Sequence, residues 1–328
     1  MEITEFAPDD EAAVRAYVEV ANAVRAVDSP WVHPLTLHEA TGILRHHWDG
    51  QPPVPFLATV DGVSVGVAEW HVGFYDNLHL AWLGIEVHPD HRRRGHGSAL
   101  LDALVERTRS AGRVALPRVD AQGGAARAFA VRHKFELKSV EVNRRQLLAD
   151  VDPALVDRLH DEAAAVAAAY ELVRCPPRTP DDQLDAMAEM VAAINDAPLD
   201  DLDLEDEVFT ADRVRAYEHA YAERGYLLHR LVARHRETGE LVGQTVVAVD
   251  LERPHLAEQH DTSVVRAHRG HRLGMLLKAG LLQWLREEQP QVVSIDTWNA
   301  ASNRFMIDVN EELGYHVLGT ALAFQRPV

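Results

Sequence analysis

Cysteine is almost missing from this 328-residue sequence, where Cys175 stands alone. One thiol excludes an intrachain disulfide framework and a thiolate metal cluster, and it suits a reducing compartment. No apolar run approaches the roughly 20 residues of a membrane-spanning helix, and the N-terminus lacks the basic stretch and apolar core of a secretory leader. Both absences predict a cytoplasmic protein with no membrane partner. Basic residues are in deficit: 33 Lys and Arg against 51 Asp and Glu give a net charge of −18, which disfavours nucleic acid as a partner. That charge suits solubility and is compatible with a small amine acceptor. Gly-Lys-Ser/Thr never occurs, so a nucleotide P-loop is excluded.

What is present is length for two domains and, at 47% hydrophobic residues, material for well-filled cores. The most informative stretch runs from Val87 through Arg92-Arg93-Arg94-Gly95-His96-Gly97-Ser98 to Leu101. Leu80 to Val87 reads as a buried strand, and Leu100, Leu101, Leu104 and Val105 recur at helical spacing. An Arg-rich, Gly-containing turn between strand and helix suits an anion, because the first turn of a helix presents unpaired N–H groups and a positive dipole end. A dinucleotide fingerprint needs a third glycine where Leu100 stands, so that reading fails.

The stretch recurs. Val264-Val265-Arg266-Ala267-His268-Arg269-Gly270-His271-Arg272-Leu273-Gly274 also joins a strand to a helix, and 177 positions separate both Arg92 from Arg269 and Gly97 from Gly274. The flanking patterns repeat as well: an early strand, helices, a hairpin (at Asp61-Gly62 and at Glu237 to Glu240), the feeding strand, then the loop helix. Two domains are expected, residues 1–149 and 170–328, joined by an Ala-rich helical connector at 150–169 that Asp152-Pro153 opens. The acidic stretch from Pro198 to Glu207 reads as a solvated loop.

The Arg-x-x-Gly-x-Gly register between a strand and a helix resembles the pyrophosphate loop of the GNAT superfamily of N-acetyltransferases. Asn299 to Tyr315 resembles that family's Asn-rich helix ending in Leu-Gly-aromatic, here Leu313-Gly314-Tyr315. The resemblance implies a tandem α/β protein: two GNAT domains, each a mixed, mostly antiparallel sheet flanked by helices. It implies acetyl-CoA as co-substrate and a small amine as acceptor. Coenzyme contacts are then expected from Val87, Arg92, Arg93, Arg94, Gly95, His96, Gly97 and Ser98 in the first domain. In the second they are expected from Val264, Val265, Arg269, Gly270, His271, Arg272, Leu273, Gly274 and Asn303. Arg272 replaces the inner glycine of the second loop, and Gly123 stands where the first half should carry the asparagine.

Acetyl transfer to an amine needs a base for the acceptor and a donor for the thioester oxygen. In the family a backbone N–H near the end of the fourth strand supplies the donor, which matches Val87 and Val264. The base position falls on Glu258, with Ala81 at the matching place in the first half and Glu86 as the nearest carboxylate. Strand alternation puts His260 and Thr262 on the side of Glu258 and Asp261 opposite. The family's acid tyrosine is replaced by Asn310 and Ala130; Tyr315 is a substitute by residue type at a position that packs in the core. No metal is expected: His88, His91 and His96 lie on the phosphate loop with no cysteine partner. Catalysis is assigned to the second domain. Catalysis in the first, or a non-catalytic acyl-CoA-binding scaffold, are the alternatives, and the oligomeric state is not encoded.

Overall fold

A computed structural model of the chain describes residues 1–112, 116–121 and 124–326. The first half comprises β1 (Glu2–Glu5), α1 (Glu11–Asp28), α2 (Leu37–Arg45), β2 (Val54–Val60), β3 (Val63–His71), β4 (Leu80–Val87), α3 (His96–Ser110), β5 (Leu116–Ala121), α4 (Gly124–Arg132) and β6 (Glu136–Leu147). The second comprises α5 (Pro153–Val166), β7 (Tyr170–Cys175), α6 (Leu184–Val191), α7 (Ala211–Glu223), β8 (Tyr226–His235), β9 (Leu241–Asp250), β10 (Leu256–Val264), α8 (Leu273–Glu288), β11 (Ser294–Ala300), α9 (Arg304–Glu312) and β12 (His316–Gln325). Gly123 lies outside the described residues. Among the described residues no helix is long and apolar enough to cross a membrane.

The chain forms two compact units: Met1–Glu141 with Leu199–Glu205 and Gly319–Val328, and Val142–Pro198 with Asp206–Leu318. In the first the strand order is β1-β2-β3-β4-β5-β12, with β4 and β5 parallel and the other neighbours antiparallel. In the second it is β6-β11-β10-β9-β8-β7, with β10 and β11 parallel. The first hairpin turns on Asp61 and Gly62 at φ 50° and 79°, the paired positive angles that a two-residue turn matching strand twist requires.

Alternation along the strands, reset in β3 by a bulge at Val65, gives each sheet two buried faces. In the first unit Val67 and Leu57 meet Val14, Val18 and Leu44 of α1 and α2, while Val65 and Ala68 meet Leu100, Leu101 and Leu104 of α3. In the second unit Val247 and Val249 meet α5 and α8, and Val246 and Ala248 meet Tyr217 and Tyr221 of α7.

These units differ from the ranges expected of the sequence. The 150–169 segment is no separate connector: Val156, Leu159 and Ala163 are buried in the core of the second unit, each larger side chain contributing about 1.5–3 kcal/mol. The last strand, from Gly319, belongs to the first unit, and the end of β6 belongs to the second. The acidic loop is not merely solvated either. Asn77, at φ 52°, exchanges hydrogen bonds with Glu205: its N–H donates to Oε2 (2.9 Å) and its Oδ1 accepts from the Glu205 N–H (2.8 Å). The Asp203 N–H donates to Gln325 Oε1 at 2.9 Å.

Candidate active site

The two phosphate-loop segments share one backbone form despite different letters. Arg93 and Gly95 have φ 64° and 88°; Gly270 and Arg272, the matching positions, have 84° and 55°. Both loops therefore need two left-handed residues, and each places glycine at one of them. Arg272 does not block this conformation; it adopts it under strain of about 1–2 kcal/mol. The helices that follow, α3 and α8, start without a side-chain cap and with no acidic residue in the first turn. By contrast α1, α2, α5, α7 and α9 are capped by Asp10, Thr36, Asp152, Thr210 and Asn303. Uncapped N–H groups beside a left-handed turn form an anion-binding concavity.

The arginine three positions before the left-handed pair's second residue, Arg92 and its counterpart Arg269, has another task in each loop. Arg92 donates from Nε to the Val87 carbonyl (3.1 Å) and grips Asp28 with both terminal nitrogens at 3.0 and 2.7 Å. Arg269 donates from Nε to the Val264 carbonyl (3.0 Å) and from Nη2 to Asp196 (2.7 Å). Read from sequence as phosphate ligands, both guanidinium groups latch the loop to the strand end. A bidentate fork explains why arginine rather than lysine stands there.

Beside each latch a gap opens in the sheet. The parallel ladder of β10 and β11 runs only from Leu256 to Glu258, and that of β4 and β5 only from Leu80 to Trp82. The Val265 N–H turns to Val242 O (2.8 Å) and the His88 N–H to Val65 O (3.0 Å). Successive strand amides point to opposite sides, so the N–H groups of Val264 and Val87 face the gaps.

In the second unit the gap begins at Glu258, and a chain of polar groups meets it there. The His260 ring lies 3.7 Å, Nε2 to Oε2, from Glu258, and its Nδ1 is 2.6 Å from the hydroxyl of Tyr217 on α7. The Tyr221 ring tilts over the same imidazole at 4.6 Å. Burial raises the Tyr217 phenol well above its ordinary value and pushes Tyr221 up to about 12, so both stay protonated at neutral pH. Tyr217 then donates to Nδ1, which leaves the ring proton on Nε2, buried beside Glu258 at 3.7 Å, an electrostatic contact and not a hydrogen bond. Burial works against ionisation of Glu258, but His260 and Arg224 together hold the carboxyl below the ordinary glutamate value.

A bulge interrupts β10 here. Gln259 pairs with Val247 and Thr262 with Thr245, so three steps on β10 oppose two on β9. One residue is left over and its backbone is unpaired. The bulge also inverts the expected sides. Thr262 bonds Thr245 (2.8 Å) beside Gln259, on the face opposite Glu258, and the charge of Asp261 reaches Tyr217 and Tyr221 on the Glu258 face.

Comparison with known proteins gives the family. The family model for the acetyltransferase (GNAT) family matches residues 22–135 and again 192–315. The chain belongs to the GNAT family. It is a tandem GNAT N-acetyltransferase, similar at 27% identity and TM-score 0.82 to a tandem GNAT protein from the clavulanic acid biosynthesis pathway, over 99% of this chain and 98% of that one. A GCN5-related N-acetyltransferase from Sphaerobacter thermophilus (17% identity, TM-score 0.66, 99% and 95% covered) shares its fold. So does a putative acetyltransferase from Pyrococcus horikoshii (16%, 0.61, 100% and 89%). No curated protein matches it in sequence.

The two GNAT units are unequal. Where the second carries Glu258 the first carries Ala81, fully buried, and its β3–β4 ladder is regular through Val87. Glu86 is the carboxylate near that gap. Burial pushes it up to about 7, opposed by Arg25 and reinforced by Glu69, which accepts a hydrogen bond from the Tyr17 hydroxyl. Among the other expected site residues, Gly97 and Gly274 are needed for packing: a Cβ would meet Phe129 and Phe305 at 3.2 Å. Asn303 Oδ1 accepts from the Met306 N–H (3.2 Å), which commits it to capping α9. Tyr315 is buried in the core under Lys278, apart from the Glu258 cluster, so residue type misled where position did not. Tyr217 was missed altogether; an apolar helix face gave no sign that its hydroxyl reaches β10.

Proposed function

We propose that the second unit transfers an acetyl group from acetyl-CoA to a small amine by direct attack, with Glu258 as general base. The observation that carries this reading is the Tyr217–His260–Glu258 chain at the mouth of the gap that the Val264 N–H faces. Acetyl-CoA brings an activated thioester, and the uncapped start of α8 with its left-handed turn fits an anionic pyrophosphate. Glu258, ionised at neutral pH, takes the proton of the amine directly or through a water, and His260, oriented by Tyr217, steadies that carboxylate. The Val264 N–H offers a hydrogen bond to the oxygen that gathers charge as the amine adds; when the carbonyl re-forms the C–S bond breaks, and coenzyme A leaves as a thiolate that takes its proton from water.

Replacement of Glu258 by Gln is expected to lower turnover about 100-fold or more while calorimetric binding of acetyl-CoA stays within a factor of three. Unchanged turnover would remove Glu258 from the mechanism. One observation favours a second reading with catalysis in the first unit: Glu86, at about 7, is matched to base catalysis near neutrality. In that case Glu86→Gln, not Glu258→Gln, silences the enzyme, and activity falls as pH drops below about 7, where Glu86 takes up its proton.

A further inference from the structure

In the first unit His47, Asp49 and His71 converge. The first two lie in the connection from α2 to β2, and His71 ends β3; one ligand atom from each lies within 4.8 Å of the other two. His47 Nδ1 stands 2.5 Å from Asp49 Oδ1, and His71 Nε2 stands 3.4 Å from Oδ2, so the two carboxylate oxygens face different imidazoles. The rings themselves are 4.2 Å apart, centroid to centroid. Asp49 is 4% exposed, and the histidines are half-buried.

Two histidines hydrogen-bonded to one aspartate would make a clasp without an ion, but His71 Nε2 is buried and makes no hydrogen bond. Its 3.4 Å separation from Oδ2 is that of two atoms sharing a metal, whereas the 2.5 Å His47–Oδ1 contact is a hydrogen bond that the ion would replace. Ligands at about 2.0–2.1 Å from a tetrahedral zinc stand about 3.3 Å apart. Asp49 Oδ1 also accepts from the Gln51 N–H at 3.0 Å, which fixes the carboxylate in place. A carboxylate oxygen and two imidazole nitrogens, with no sulfur, form a donor set for a divalent first-row transition ion.

We propose that His47, Asp49 and His71 bind one zinc(II)-class ion. Three protein ligands leave a fourth position for water. The ion would staple the α2–β2 connection to the sheet where Val54 pairs with Trp70 and His71 with Trp82. That is the end of β4 remote from Val87, beside Trp82 where the β4–β5 ladder stops, so the site borders the start of the first unit's gap, five residues along β4 from the Val87 N–H.

The test uses the untagged full chain, stripped with chelator, dialysed against zinc or cobalt(II) and assayed for metal content and visible cobalt absorption. One equivalent per chain is expected, with the d–d bands of low-coordinate cobalt. Asp49→Asn and His71→Gln should each weaken binding about 100-fold or more, while His88→Ala leaves it unchanged. Zinc should raise the melting temperature of the wild type and not of His71→Gln. Wild-type chain that retains no metal overturns the proposal. So does metal bound equally by both ligand variants, which would place it on other histidines.

Discussion

Lys278 of α8 is buried with its Nζ 3.2 Å from Gln259 Oε1 and 4.7 Å from the centroid of the Tyr315 ring, and among the described residues it has no ion-pair partner. Burial brings its amine down to about 7. Between about 7 and the reference value of about 10.4 the unfolded chain holds this proton and the folded one does not. For this group, stability therefore rises with pH through that window, and the full penalty applies below it. Lys278→Met should raise the unfolding free energy by about 2 kcal/mol at pH 6, with the gain shrinking towards pH 10 in urea titrations. Arg272→Gly should add about 0.5–1 kcal/mol by relieving its left-handed backbone, measured in the same way. The first was not legible in sequence, because a lone lysine in a leucine-rich helix reads as solvated. The second was half legible: Arg272 was seen to stand in a glycine's place, but not that it takes the glycine's conformation.

At the scale of elements, the repeat at a spacing of 177 residues located the strands, loops and helices that frame both gaps, because β4–α3 and β10–α8 carry the same periodicity. What alternation could not foresee was the bulge in β10, one extra residue that moves Thr262 away from Glu258 and brings Asp261 towards it. Nor does any local pattern reveal that β12 pairs with β5, since that pairing spans about two hundred residues of chain. Once seen, it explains a glycine. A Cβ on Gly319 would lie 2.2 Å from the Trp31 ring, so the indole rests directly on the strand backbone. Gly319→Ala is expected to cost about 2 kcal/mol by overpacking, read as a lower denaturant midpoint with an unchanged m-value.

At the scale of the molecule, duplication has left two loops of one conformation and only one unit with the Glu–His–Tyr chain. The first unit keeps the intact Arg-x-x-Gly-x-Gly letters and the latch of Arg92 on Asp28, but carries Ala81 where the second has Glu258. Sequence alone exposed that asymmetry, because it depends on which letters fill matched positions. The support behind Glu258 is long-range and had to be seen in the structure. Acetyl transfer, as proposed, belongs to the second unit. Its most direct test is the rate of thiol release from acetyl-CoA with a panel of primary amines, measured for the wild type, Gly97→Glu and Gly274→Glu. Each substitution sets a carboxylate and unwanted bulk at a loop helix, against Phe129 or Phe305. Gly274→Glu is expected to abolish release and Gly97→Glu to retain it. Loss in Gly97→Glu with full activity in Gly274→Glu would contradict that assignment.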